Sequence, residues 1–132
     1  MTGFVLDASA YVLAFTEVSP PARALAARIV AGDSHVPHLM SAEVGAVARS
    51  KVARGELTAA HALALVEEVA VVVQHHYVHR PLIRLAWSLR ANLSFYDGLY
   101  VALAASLGVP LLTADARLSR APVLPCAVET VS

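Results

Sequence analysis

The chain has a single cysteine, Cys126, in 132 residues, so no intramolecular disulfide is possible and a reducing cytoplasm is the expected setting. It has no net charge either: ten basic residues cancel ten acidic ones, which argues against capture of a polyanion by overall charge. Bilayer-length apolar runs are missing. The uncharged stretch from Gly98 to Thr113 is broken by Gly108 and Pro110 and is too short for a comfortable transmembrane helix, so no membrane association is expected. The opening MTGFVLD has no basic region followed by a long apolar run, and no secretory signal is expected. The hydrophobic fraction of 58% is high, but alanine supplies much of it, which points to closely packed helices in one domain spanning residues 1–132.

Several phosphate chemistries are excluded by missing motifs. There is no GxxxxGK or GxGxxG loop for nucleotide phosphates and no GxSxG elbow for a serine hydrolase. A phosphatase of the haloacid dehalogenase type needs a second aspartate two residues after the first, where this chain has Ser9. A response-regulator receiver needs a lysine after its last strand, but the only lysine is Lys51. The six histidines form no complete zinc ligand set: His75, His76 and His79 cluster, His35 and His38 pair, and Cys126 is far from both in sequence. They read as surface or loop histidines without a metal role.

The chain alternates short apolar runs with helical periodicity. Strands are expected at Phe4–Leu6, His35–Pro37, Val71–Val73, Pro110–Thr113 and Ala127–Thr130. Between them, helices are expected from Ser9 to Phe15, after Ser19-Pro20-Pro21 to Gly32, from Ser41 to near Gly55, and after Thr58. Two more are expected from His79 to Ala91 and from Ser94 to Leu107, the latter ended by Gly108. Strands alternating with helices imply an α/β fold with a short parallel sheet of about five strands.

Four acidic residues fall where such a fold gathers side chains. They are Asp7 in FVLDAS, Glu43 in SAEV, Asp97 in YDGLYVALA and Asp115 in LLTAD, at strand ends or near helix starts. Ligands of open parallel sheets bind outside the carboxyl ends of the strands. If the first and fourth strands are neighbours, Asp7 and Asp115 face one crevice. Each residue also has a plain reading: Asp7 and Asp115 as caps or turns, Asp97 in a capping box with Ser94, and Glu43 favouring its helix dipole. Four carboxylates in one water-poor cleft cannot all stay ionised without a cation, so the shared reading is a site for hard divalent metal. With those four set aside, ten basic residues face six acidic ones. Arg49, Lys51 and Arg54 follow Glu43, and Arg117 follows Asp115, as contacts to a phosphodiester backbone would require. Solvated helix faces are the plain reading of the same arginines. Trp87, Tyr96 and Tyr100 are expected to pack rather than to stack on bases.

With the motifs in order, from VLDAS through YDGLYVALA to LLTADARL, the chain resembles PIN-domain proteins, and specifically the VapC toxins of bacterial toxin–antitoxin pairs. The resemblance implies an endoribonuclease that uses Mg2+, with Mn2+ able to substitute, and cuts structured RNA such as tRNA or rRNA. It assigns Asp7, Glu43, Asp97 and Asp115 as the acidic quartet that holds metal, with Ser9 and Thr113 supporting it by hydrogen bonds. It also implies a cognate VapB-like antitoxin that enters the cleft, and a homodimer. The sequence departs from the family pattern twice: Ala46 stands where many relatives carry asparagine, and Gly98 where alanine is commoner. A catalytically silent PIN module that binds RNA or a protein, and a DNA nuclease of the flap-endonuclease type, are the alternatives.

Overall fold

In a computed structural model, which describes residues 2–132, five parallel strands form one sheet. They are β1 (Phe4–Leu6), β2 (Ser34–Pro37), β3 (His75–Tyr77), β4 (Leu111–Thr113) and β5 (Val128–Thr130), in the order β3-β2-β1-β4-β5. The helices among the described residues are α1 (Ala8–Thr16), α2 (Pro20–Ala31), α3 (Leu39–Ala53), α4 (Ala59–Val72), α5 (Ile83–Ser88), α6 (Phe95–Leu107) and α7 (Ala116–Ser119). This is the α/β architecture that the alternation implies. Among the described residues no helix is long and apolar enough to cross a membrane.

Local chemistry sets most helix starts. Asp7, Ser19, Thr58, Ser94 and Asp115 each accept a backbone N–H of the following turn through a side-chain oxygen. Gly108 ends α6 in the left-handed region at φ 68°, where a side chain is unfavourable. Helix α3 begins at Leu39, two residues before Ser41, and has no side-chain cap of its own. Its free Leu39 N–H is instead taken by Nε2 of His79 at 2.9 Å. That histidine comes from 40 residues away, so no local signal announces it.

One strand differs from expectation. Val71 and Val72 belong to α4, and the third strand is His75–Tyr77. Ala62, Leu65, Val69 and Val73 are buried at helical spacing while Val71 is 82% exposed, so the 3.6-residue period overrides the β-branched run. The helix expected from His79 to Ala91 is a 3-10 turn at Arg80–Leu82 followed by the short α5.

The core lies around β1 and β4, which are buried throughout, as central parallel strands covered on both faces must be. Helix α6 touches β1, β2, β4 and α5, and every residue from Gly98 to Ala104 is buried. The uncharged part of α6 after Asp97 finds its place inside the molecule, which accounts for the uncharged stretch. Gly98 has a packing reason. A Cβ there would stand 3.0 Å from the carbonyl oxygen of Ala86, so the glycine lets α6 sit close against α5.

Candidate active site

Because β1 and β4 are neighbours, Asp7 and Asp115 leave the sheet side by side at its carboxyl end. Asp7 is 6% exposed, and its N–H donates to Leu112 O. Its Oδ1 accepts from the Ser9 hydroxyl at 2.6 Å and from Ala10 N at 3.0 Å, while its Oδ2 accepts from the Thr113 hydroxyl at 2.5 Å. Three of the roughly four lone-pair directions of the carboxylate are therefore filled, and one on Oδ2 is left for a cation. The capping role therefore leaves one oxygen of this side chain partly open.

Ser9 and Thr113 form a cross-link between the two strand ends. Ser9 Oγ lies 3.3 Å from Thr113 Oγ1 and accepts from Ala114 N at 3.0 Å. Thr113 Oγ1 accepts from Asp115 N at 3.0 Å while donating to Asp7. A single hydroxyl thus sets the backbone of one aspartate against the carboxylate of the other.

The two helical acids come from opposite sides. Glu43 lies in the second turn of α3, and its Oε1 accepts the Tyr100 hydroxyl at 2.6 Å. Asp97 is in the first turn of α6, where its N–H donates to Ser94 Oγ at 3.1 Å. All four acids line one cavity of about 460 Å3, walled by Ala8, Ser9, Leu39, Ala42, Ala46, Val47 and Tyr96. Asp97 and Asp115 also border a neighbouring cleft that contains Arg117.

Electrostatics divide the quartet. Burial pushes the Asp7 carboxyl above its ordinary range, offset in part by the bonds from Ser9, Thr113 and Ala10. Glu43 is raised by burial and by the charges of Asp97 and Asp7, against the Tyr100 hydrogen bond. Asp97 is raised by burial and by Asp7. Asp115 moves the other way, held low by Arg117. That guanidinium grips it bidentately, Nη2 to Oδ2 at 2.8 Å and Nε to Oδ1 at 3.1 Å. Three carboxylates are short of positive charge, and the fourth has borrowed one. A cavity of all-oxygen donors with this imbalance fits a hard divalent ion of the magnesium or manganese kind.

The basic residues are less concentrated than their positions in sequence imply. Arg54 forks onto Glu56 through Nε and Nη2 and reaches Ser50 through Nη1. Lys51 lies 3.5 Å from Glu56 and lines a depression that shares Ser9 and Val47 with the acidic cavity. Arg49 is exposed, with no ion pair among the described residues, and Arg117 is committed to Asp115. Tyr100, expected only to pack, is buried and also bonds Glu43, which holds its phenol firmly protonated. Its place three residues after Asp97, on the same helix face, was the available signal. Tyr96 is 57% exposed at the cavity mouth, and Trp87 is 58% exposed under the guanidinium of Arg90. The histidines are not all surface or loop residues: His35 is buried within β2.

The sequence profile of the PIN domain matches residues 4–124. Ribonuclease VapC1 of Mycobacterium tuberculosis is 42% identical over 128 residues, covering 96% of each chain. Ribonuclease VapC9 of the same species is 35% identical over 127 residues, covering 96% of this chain and 97% of its own. Among solved structures, DNA-bound VapBC from Salmonella typhimurium superposes with a TM-score of 0.72 at 16% identity, over 98% of each chain, a likeness of fold. On both the domain profile and the relatives' identity, this chain belongs to the PIN-domain family, in its VapC branch.

Proposed function

We propose that this protein is a metal-dependent endoribonuclease, the toxin of a toxin–antitoxin pair, acting in the cytoplasm on structured RNA such as tRNA or rRNA. The observation that carries the reading is the meeting of Asp7, Glu43, Asp97 and Asp115 in one cavity of a chain whose relatives bear the name ribonuclease. In this reading the domain is the whole chain, residues 1–132, and a VapB-like antitoxin covers the cleft in a complex of the VapBC kind named for the Salmonella typhimurium structure. The active form is a homodimer.

Asp7, Asp97 and Asp115 would hold the ion, and Glu43 would either complete the set or position the attacking water. Bound there, Mg2+ or Mn2+ would supply a water of lowered pKa and neutralise charge on the scissile phosphate. Asp7 is oriented by Ser9 and Thr113, so its remaining lone pair is fixed before substrate arrives. Glu43 has Oε1 engaged by Tyr100, and in the second role its other oxygen would orient the attacking water and accept its proton. Water oxygen bonds to phosphorus, the P–O3′ bond breaks, and a proton ends on the leaving oxygen, giving a 5′-phosphate and a 3′-hydroxyl. Exposed Arg49, Lys51 and Arg54 once they leave Glu56, and Arg117 once it leaves Asp115, are the groups for the RNA backbone.

The test is cleavage of structured RNA by purified protein freed of antitoxin, with Mg2+ or Mn2+ and then with EDTA. Expressed alone, the chain should arrest growth, and Asp97→Asn should be harmless yet still bind the antitoxin. Full cleavage in EDTA overturns the metal mechanism. RNA binding without cleavage, or normal growth at high expression, overturns the toxin reading in favour of a silent binding module.

A further inference from the structure

A second group of ligand-type side chains lies at the opposite edge of the sheet. Asp33 directly precedes β2, His35 is its second residue, and His75 opens β3. The carboxylate quartet stands past the other ends of the strands. His35 and His75 are register partners, with ring centroids 4.5 Å apart and planes only 16° from parallel. Oδ1 of Asp33 is 3.9 Å from Nε2 of His75. One donor atom from each of the three residues lies within 4.8 Å of the others.

His35 is the informative member. It is 2% exposed, and its Nδ1 is engaged with the Tyr77 hydroxyl at 2.8 Å. Its Nε2 is buried and makes no well-formed hydrogen bond among the described residues, with the Thr2 backbone near the ring. An imidazole nitrogen buried without a partner is costly and asks for an explanation. In the tautomer whose Nδ1–H donates to Tyr77, Nε2 carries a lone pair, which is the ligand form of imidazole.

The surroundings are those of a supported ligand set. Thr2 donates its hydroxyl to Oδ2 of Asp33, leaving Oδ1 toward His75. Gln74 Oε1 accepts from Asp33 N at 3.0 Å, and Asp33 is held at φ 67°. Gly3 permits this crossing, because a Cβ there would lie 2.0 Å from the Asp33 carbonyl oxygen. Tyr77 fixes the orientation of the His35 ring, the usual role of a hydrogen bond to the non-ligating nitrogen.

We propose that Asp33, His35 and His75 form a second metal site, selective for a borderline transition-metal dication such as Zn2+ and separate from the acidic cavity. Two imidazoles and one carboxylate suit zinc and its neighbours, whereas magnesium prefers an all-oxygen shell. A tetrahedral ion with bonds of about 2.0 Å needs donors about 3.3 Å apart. His35 is fixed by burial, so the closing movement falls to His75 and Asp33, whose side chains are 46% and 48% exposed. Water takes the fourth position. An ion there would join β2, the edge strand β3 and, through Asp33, the segment at Thr2, and so staple one edge of the sheet.

The experiment is titration of untagged protein with Zn2+ by calorimetry, Co2+ absorption as a report of nitrogen ligation, and thermal melts with and without Zn2+. We expect one saturable site that raises the melting temperature, persists at unchanged affinity in Asp7→Asn, and weakens at least about tenfold in His75→Gln and in Asp33→Asn. Both variants alter half-exposed side chains, so the fold and Mg2+-dependent cleavage should persist in them. His76→Gln should bind as the wild type does. Absence of saturable binding, affinity within about threefold of wild type in His75→Gln or Asp33→Asn, or loss of the site in Asp7→Asn would each overturn the proposal. The result is independent of whether the protein cleaves RNA.

Discussion

The Thr113 hydroxyl donates to Oδ2 of Asp7 at 2.5 Å and accepts from the backbone N–H of Asp115 at 3.0 Å. Strand β4 thereby positions the acid at the end of β1 and the acid after its own end through one oxygen atom. The contact spans 106 residues of sequence and exists only because β1 and β4 are adjacent.

Asp7→Asn should keep this frame. The amide oxygen can take the bonds from Ser9 and Ala10, and its NH2 can donate to Thr113 once that hydroxyl turns. The variant should fold, melt no lower than the metal-free wild type, and cleave RNA at least about 100-fold more slowly, the upper end of losses from weaker supporting changes. Unaltered cleavage would remove Asp7 from the ligand set.

Tyr100→Phe should preserve the core while deleting the bond to Glu43 Oε1. That bond favours the ionised Glu43, so its loss should raise the Glu43 pKa further. The acidic limb of the pH–rate profile should move to higher pH, and kcat should fall about tenfold with little change in KM. An unmoved limb would restrict Tyr100 to packing.

Stability should depend on pH with the sign of the raised carboxylates. Asp7, Glu43 and Asp97 have folded-state pKa values above their ordinary ones. Their contribution to stability is complete below the ordinary carboxylate range and is lost as pH rises through the elevated values. Asp115 has the opposite sign and loses its contribution as pH falls. Asp115, Glu56 and His35, all shifted low, oppose that slope, so the cavity shows in the difference that metal makes: the rise in melting temperature given by Mg2+ should grow as pH climbs from about 4 toward 7. A rise that shrinks over this range would contradict the charge balance of the cavity.

Arg117→Gln should make the metal easier to bind. Arg117 already compensates Asp115, so cation binding must displace it or share its partner. The pair is exposed and its effect small; the Mg2+ concentration for half-maximal cleavage should fall about twofold to fivefold. If Arg117 also meets a phosphate in the complex, the salt dependence of RNA binding should lose close to one charge. An increased Mg2+ requirement would show that the arginine assists the ion.

The sequence alone determined the features that rest on neighbours within about four residues. Apolar runs ending in Asp7 and Asp115, the caps at Ser19, Thr58 and Ser94, and the Gly108 stop are local chemistry. The four acidic motifs and the α/β class were legible on the same grounds. The third strand was not, because a β-branched run at Val71–Val73 has two local readings, and burial of Val69 and Val73 on one face chose the helix. Tertiary structure alone decided the strand order that brings Asp7 to Asp115, the Tyr100–Glu43 bond across 57 residues, the His79 cap on α3 and the burial of His35. Hydrogen bonds of a few ångströms leave no trace in periodicity or spacing when their partners arrive from distant elements, and only the packed sheet brings those partners within reach.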